Sequence, residues 1–177
     1  MRMNRLQRLW RHLWQDEAAT RRAIPDDMAA RLSQRIGASE RRHTGEVRIC
    51  VEAALPSNLV WRLRGDAELA AMTRERAWEW FGRLRVWDTE QNNGVLIYLL
   101  LAEQAIEIVA DRGLVRDVDG AQWQAVVDRL GQRLQRGEFE EGLTQALEEV
   151  SALLVHHFPV GTDTFNPDEL PDAVVRV

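Results

Sequence analysis

The feature that most restricts the fold of this chain is an unbroken apolar run, GVLIYLLL, at residues 94–101. A strand with two apolar faces has to be covered on both faces, so this run predicts a central strand between two layers of helices. A short turn follows, and residues 105–110 (AIEIVA) then read as a second strand. Two strands joined by so short a turn are expected to form an antiparallel hairpin.

The remaining segments predict an α/β fold. Residues 46–55 (EVRICVEAAL) alternate apolar and polar side chains and read as a strand, and residues 66–84 read as a long helix between this strand and the apolar run. A strand-helix-strand unit favours a parallel pair with a right-handed crossover. The expected architecture is a three-layer α/β/α domain whose small mixed β-sheet combines this parallel pair with the antiparallel hairpin strand. Further helices are expected at residues 24–42, 119–136 and 138–157.

The chain divides into three predicted parts. Residues 1–22 contain a basic amphipathic N-terminal helix, residues 23–158 form the α/β domain, and residues 159–177 form a tail with three of the five prolines. We expect this tail to lie in an extended form over the domain or to be partly disordered.

The N-terminal helix presents two different faces. Leucines and the tryptophans Trp10 and Trp14 recur at helical spacing on one face, while basic residues that include Arg8 and Arg11 occupy the other. One interpretation is that the tryptophan face packs on the domain or on a protein partner. The other is that residues 1–15 lie on a membrane surface, where Trp and Arg suit the headgroup region.

Charge excludes some classes of function. Residues 1–42 hold ten Arg against five acidic residues, whereas the rest of the chain holds thirteen Arg against twenty-three. An acidic body repels phosphates, so we expect no nucleic-acid binding. All 23 basic residues are Arg, which excludes chemistry that needs a lysine amine, such as Schiff-base formation.

Two observations favour the cytoplasm. Cys50 is the only cysteine, so the chain cannot form an intrachain disulfide. No segment reaches the roughly 18 to 20 consecutive apolar residues of a membrane span, and the Arg-rich N-terminus lacks the apolar core of a secretory signal. The expected location is therefore cytoplasmic, at the inner face of the membrane if the N-terminal helix binds lipid.

The topology predicts where a polar site forms. The first residues of two parallel strands and the last residue of an antiparallel strand lie at one edge of a sheet. The residues expected to converge there are Glu46, Asn92, Asn93, Asp111 and Arg112. The loop with Asp88 leads to this edge, and Asp117 and Asp119 lie in the segment that leaves it. Such oxygen-rich groups suit a hard divalent cation, and we expect calcium rather than magnesium.

Two other interpretations of these residues stay open. Arg112 follows Asp111 and is suited to hold an anion such as phosphate. The same sequences, such as Asn-Gly and Asp-Arg-Gly, are also ordinary turns, and Asp119 is a plausible helix N-cap.

The chain contains, in this order, the motifs TGE at 44–46, NGVLIY at 93–98, IEIVADRG at 106–113, Trp123, GEF at 137–139 and GL at 142–143. Together they resemble the TPM domain family, over about residues 36–158. The resemblance implies a Rossmann-like α/β/α fold with an acidic metal-binding edge, at Asn93 and Asp111 and more weakly at Glu46. A plant member of the family is described as an acid phosphatase of the thylakoid lumen, and other members bind calcium or serve as accessory modules of membrane proteins.

Two functional hypotheses follow. In the first, the chain is a non-catalytic binding or accessory module that holds a divalent ion at the sheet edge and contacts a protein partner, itself membrane-associated, or the membrane surface. In the second, the chain is a metal-assisted acid phosphatase in which Arg112 steadies a phosphate ester. The residues identify no nucleophile, so the sequence leaves open whether the chain is an enzyme.

Overall fold

The computed structural model describes residues 17–63, 65–161, 166–167 and 169–177. Most of the predicted N-terminal helix, including Arg8, Trp10, Arg11 and Trp14, therefore lies outside the described residues. Only its last residues are described, and they belong to the first helix of the structure. None of the helices within the described ranges is long and apolar enough to cross a membrane.

The secondary structure follows the predicted order closely. The helices are α1 (Glu17–Ala23), α2 (Asp26–Glu40), α3 (Ser57–Val60), α4 (Asp66–Arg83), α5 (Arg112–Val115), α6 (Gly120–Gln135) and α7 (Phe139–His157). The strands are β1 (Val47–Glu52), β2 (Val95–Leu100), β3 (Ala105–Ala110) and β4 (Val175–Arg176), and a 3₁₀ turn at Leu101–Glu103 joins β2 to β3.

The sheet confirms the predicted mixed topology. Its strand order is β3-β2-β1-β4, with β1 parallel to β2 and β3 antiparallel to β2. The fourth strand is an addition that the sequence did not predict, because β4 has only two residues and lies in the tail. It runs parallel to β1 and pairs with Cys50 and Val51.

Helices cover both faces of the sheet, as the apolar run of β2 predicts. Alternate residues of β2, such as Val95 and Ile97, join a core with α2, α6 and α7. The residues between them, such as Leu96 and Tyr98, join a second core with α3 and α4. All six residues of β2 are buried, so the strand lies in the middle layer of an α/β/α sandwich.

The polar residues of β1 are buried, although their alternation with apolar residues is typical of a strand with one exposed face. Glu52 is 4% exposed, and its burial is compensated by Arg76 of α4. Arg76 donates two hydrogen bonds to the carboxylate through Nε and one of 2.6 Å through Nη2. The hydroxyl of Tyr98 and the indole nitrogen of Trp80 also donate to Glu52, at 2.6 and 3.0 Å. The carboxylate is therefore held by four donor groups in the layer between β1 and α4.

The tail is anchored to the sheet and to the start of α2. Ala53 N–H donates to the carbonyl of Val177 at 2.7 Å, and Val177 N–H donates to the carbonyl of Val51 at 2.9 Å. Arg176 donates to the carbonyl of Ile24 through Nη1 at 2.9 Å. The described residues of the tail thus extend the sheet past β1.

Candidate functional site

Three chain segments meet at one edge of the sheet, where the strand topology predicts a site. Val95 N–H donates to the carbonyl of Glu46 at 2.8 Å, and Asp111 N–H donates to the carbonyl of Gly94 at 2.9 Å. Backbone hydrogen bonds therefore join the starts of β1 and β2 and the end of β3. Asn93 lies just before β2 and Asp111 just after β3, at this same edge.

Asn93 is completely buried at the start of β2. Its backbone N–H donates to Oγ1 of Thr89 at 3.1 Å, and its Nδ2 donates to Oγ1 of Thr44 at 3.1 Å. Its side-chain oxygen, Oδ1, has no hydrogen-bond partner among the described residues. The amide is thus fixed by its donors while one acceptor is left unsatisfied.

Asp111 has the same property at the end of β3. It is 9% exposed, and its Oδ1 accepts a hydrogen bond of 2.7 Å from the N–H of Arg112, which begins α5. Its other carboxylate oxygen, Oδ2, is buried without a partner within the described part of the chain. One oxygen therefore caps α5 and the other is left without a donor.

Arg112 is exposed beside Asp111, and its guanidinium group is partly engaged. Its Nε and Nη2 donate to Oδ1 of Asn92, at 2.8 and 2.5 Å. Asn92 adopts a positive φ of 54°, and its carbonyl accepts from the N–H of Gly113 at 2.9 Å. These bonds tie the loop before β2 to the residues after β3, which holds the edge together.

The two unsatisfied oxygens make the edge suitable for a cation. A buried acceptor that lacks a donor costs about 1–3 kcal/mol, and it is commonly satisfied by water or by an ion. A carboxylate oxygen together with an amide oxygen fits the preference of calcium and magnesium for oxygen ligands. Across the described ranges, however, no group of three or more His, Cys, Asp or Glu residues forms a metal cluster. Amide oxygens, carbonyls or water would have to complete the ligand set.

The other predicted acids make contacts of their own or are exposed. Glu46 is buried, and its Oε1 accepts from the N–H of Glu169, so its side chain contacts the tail. Asp88 is exposed and pairs with Arg85 at 2.6 Å. Asp119 accepts from Ala121 N–H in a capping box at the start of α6, and Asp117 is exposed between α5 and α6.

Sequence reasoning missed the residues that support Asn93. Thr89 and Thr44 come from different loops, and Thr44 in turn donates to Oε1 of Gln91 at 3.0 Å. A Thr six residues before a strand is too common to be recognised from the sequence. The resemblance did include Thr44, but only as part of a turn motif.

A second polar cluster, formed by Glu40, Glu46, Arg48 and Asp172, lies beside the edge and was not predicted. Glu40 of α2 accepts from Val47 N–H at 2.8 Å and hydrogen-bonds to Asp172 of the tail. Burial, and then the neighbouring Glu46 and Asp172, raise the pKa of Glu40 to about 10. Glu40 is therefore protonated at neutral pH and links α2 to the tail.

The raised pKa of Glu40 predicts a particular dependence of stability on pH. The folded pKa lies above the unfolded value of 4.5, so folding takes up a proton between pH 4.5 and about 10. The contribution of Glu40 to the free energy of unfolding is complete below pH 4.5 and is lost as the pH rises, by at most about 1.4 kcal/mol per pH unit.

Glu40→Gln keeps the shape of the protonated acid, but its side chain has no proton to lose as the pH rises. Urea denaturation of wild type and variant at pH 5, 7 and 9 should show the wild type losing stability relative to the variant as the pH rises. If the difference in the free energy of unfolding between the two proteins were the same at all three pH values, the proton uptake would be contradicted.

His43 lies beside the same region but does not face the edge. It is completely buried between Oγ of Ser39 and the carbonyl of Gly45, each 2.9 Å from a ring nitrogen. Burial lowers the pKa of His43 to about 4, so the ring is neutral at pH 7. Because the carbonyl can only accept, Nδ1 carries the proton, and the ring holds the turn between α2 and β1.

Comparison with known proteins agrees with this architecture. The family model of the TPM domain matches residues 20–153, so the chain belongs to the TPM domain family. Among solved structures, the chain is similar to the NMR structure of the BA42 protein from the psychrophilic bacterium Bizionia argentinensis sp. nov.. The TM-score is 0.70 at 24% identity, over 86% of this chain and 94% of that one, which shows a shared fold. No curated protein matches the chain.

Proposed function

We propose that this chain is a binding module that holds a divalent cation, calcium in preference to magnesium, between Asn93 and Asp111. The observation that carries the proposal is the pair of buried, unsatisfied oxygens at one edge of the sheet, Oδ1 of Asn93 and Oδ2 of Asp111. A bound cation would satisfy both oxygens and offset the cost of their burial. The exposed surface around Arg112 would then be available to a partner of this accessory module.

A calcium titration tests this proposal. We expect calcium added to metal-free, ¹⁵N-labelled protein to shift the amide signals of residues 89–94 and 111–113 and to raise the thermal midpoint. Asp111→Asn keeps an acceptor that can cap α5 but removes the charge, so calcium should bind at least about tenfold more weakly, or about 1.4 kcal/mol.

Asp119→Asn is the matched control, because Asp119 also caps a helix but is exposed and has its capping bonds satisfied. It should bind calcium as the wild type does. Shifts spread over the whole acidic surface, or equal affinities for both variants, would contradict the site. Magnesium in place of calcium tests the ion preference.

Phosphomonoester hydrolysis is the second candidate function, favoured by the position of the exposed Arg112 next to Asp111. A cation would polarise the phosphate and Arg112 would steady its charge. The same two variants distinguish this function with p-nitrophenyl phosphate as the substrate. Hydrolysis that is lost in Asp111→Asn and kept in Asp119→Asn would support it, whereas equal rates in all three proteins would contradict it.

A further inference from the structure

The outer edge of β3 lies at the floor of a groove that the candidate cation site does not use. β3 is the first strand in the order β3-β2-β1-β4, so within the described residues only its inner edge is paired. Helices α4 and α6 pack on β3 from opposite faces of the sheet and form the two walls. The groove encloses about 430 Å³.

The register of the hairpin shows which backbone groups of β3 face this groove. Asp111 N–H donates to the carbonyl of Gly94 at 2.9 Å, and hydrogen-bonded positions alternate along an antiparallel pair. Residues one, three and five positions before Asp111 therefore turn their N–H and C=O groups away from β2. These residues are Ile106, Ile108 and Ala110, and all three line the groove.

These outward groups of β3 are almost entirely without partners. Arg74 of α4 makes the one contact with them, because its Nη1 donates to the carbonyl of Ile108 at 3.5 Å as well as to Glu107 at 2.9 Å. No other hydrogen bond reaches them from the part of the chain that the structure describes. A row of unpaired N–H and C=O groups along a strand edge is a template for a further strand.

Apolar side chains line the walls of the groove. Trp78 of α4 is 46% exposed and Val115 of α5 is 61% exposed, and they are two of the four large apolar residues that are exposed among the described residues. Trp123 lines the groove from α6, and its indole nitrogen is buried without an acceptor in the described ranges. A strand in the groove would cover the apolar side chains, and its carbonyls are acceptors of the kind that the indole lacks.

The depth of the edge distinguishes a single extended peptide from a second copy of the chain. Ile108 is 5% exposed and Ala110 is 7% exposed although both lie on an open edge, so the flanking helices extend beyond that edge. A second copy would carry its own β3 at the same depth between its own helices. The helices would then collide before the two strands reached the spacing of about 4.8 Å that a sheet requires.

Charge adds a requirement for the peptide. The side chain of Arg74 is 52% exposed, and it uses only Nη1 in its bonds to Glu107 and Ile108. Its Nε and Nη2 have no partner within the described part of the chain. A carboxylate of the peptide would complement these two donors.

We propose that the outer edge of β3 binds an extended peptide segment of a partner protein by strand addition, with apolar side chains on both faces and one acidic side chain opposite Arg74. Alternate residues of a strand point to opposite faces, so the peptide presents apolar groups to Trp78 on one side and to Trp123 on the other. The proposal does not depend on the cation, because neither Asn93 nor Asp111 lines the groove.

A peptide titration of the ¹⁵N-labelled full chain tests the proposal, with EDTA present so that a cation plays no part. The probe is a mixture of five-residue peptides, acetylated and amidated, with Glu at the centre and Val, Ile, Phe or Thr elsewhere. We expect the amide signals of Ile106, Ile108 and Ala110 to shift and their hydrogen exchange to slow at least about tenfold. The indole signal of Trp123 should shift with them, and unchanged signals at all four residues would overturn the proposal.

A control mixture separates strand addition from adhesion of apolar peptides. It has the same sequences with every backbone nitrogen methylated, so it cannot donate to the outward groups of β3, and we expect no binding. Equal binding of the two mixtures would overturn the proposal. An equal shift of the indole signal of Trp61, which is 62% exposed outside the groove, would overturn it as well.

Three variants locate the peptide. Val115→Glu places a charge in the groove and should weaken binding at least about tenfold, whereas Trp87→Glu, at an exposed side chain outside the groove, should bind as the wild type does. In Arg74→Gln, peptides with a central Glu should bind no better than peptides with a central Gln. Wild-type binding by Val115→Glu, or a preference for Glu that persists in Arg74→Gln, would contradict the proposal.

Sedimentation equilibrium of the peptide-free chain tests the alternative occupant. We expect hydrogen exchange at Ile106 and Ala110 to be independent of protein concentration. A dimer in which these amides become protected as the concentration rises would mean that β3 pairs with a second copy, and the proposal would be wrong.

Discussion

Replacing Arg76 with leucine should lower the free energy of unfolding by about 3–5 kcal/mol. Arg76 is 8% exposed, and it donates to both carboxylate oxygens of Glu52, which is 4% exposed. Without the guanidinium group, the carboxylate would stay buried with only the neutral donors of Tyr98 and Trp80. Urea denaturation monitored by circular dichroism measures the loss.

Arg74→Leu is the matched control for this prediction. Arg74 lies on the same helix and also pairs with a strand acid, Glu107, at 2.9 Å, but its side chain is 52% exposed. Exposed ion pairs contribute about 0.2–1 kcal/mol, so this variant should lose little stability. Similar losses in the two variants would contradict the importance of burial.

The double variant Glu52→Gln, Arg76→Leu tests whether the stability lost in Arg76→Leu comes from the unpaired charge of Glu52. Removing both charges leaves no uncompensated buried ion, and the Gln side-chain oxygen can still accept from Tyr98. The double variant should therefore be more stable than Arg76→Leu alone. A further loss of stability in the double variant would mean that Glu52 contributes through contacts other than its pair with Arg76.

Gly94→Ala should lower the free energy of unfolding by about 3 kcal/mol. An added Cβ would overlap the carbonyl oxygen of Val86 and would lie 2.9 Å from its Cγ1. Gly94 cannot move away easily, because its own carbonyl accepts from Asp111 N–H. Relief of the overlap has to displace the loop after α4 or the edge that holds Asn93.

Gly82→Ala should instead raise the free energy of unfolding. Gly82 lies near the end of α4, and an added Cβ would meet nothing within 4 Å. Alanine is about 0.5–1 kcal/mol more favourable than glycine in a helix, so this variant should be slightly stabilised. Comparing the two thermal midpoints checks the pair, and a stabilised Gly94→Ala would show that the loop accommodates the methyl group.

The layered sheet could be predicted because its signals are local. The apolar run of β2 and the hairpin turn after it depend on neighbouring residues, and the crossover rule then fixes the direction of β1. The meeting of Asn93 and Asp111 at one edge followed from topology alone. Nothing about the contacts of their side chains was needed to infer it.

The surroundings of that edge could not be predicted, because they depend on long-range contacts. Glu46 contacts Glu169, which is 123 residues away along the chain. Glu52 is buried by a guanidinium group from α4, 24 residues away, although its alternation with apolar neighbours is typical of an exposed position. Asp119 was predicted both as a helix cap and as a metal ligand, because an Asp before a helix fits either role in the sequence. In the structure it caps α6.

Pairing of β4 with β1 has a consequence for the order in which the molecule can fold. Residues 175–176 complete one side of the sheet, and Arg176 reaches the backbone of Ile24, 152 residues earlier. Contacts between such distant parts of a chain form late, because closing so large a loop costs entropy before the contact compensates for it. During synthesis on the ribosome, the outer edge of β1 near Cys50 and Val51 should therefore stay uncovered until the tail has emerged. A chaperone or a neighbouring nascent chain would find this short edge accessible before it is closed.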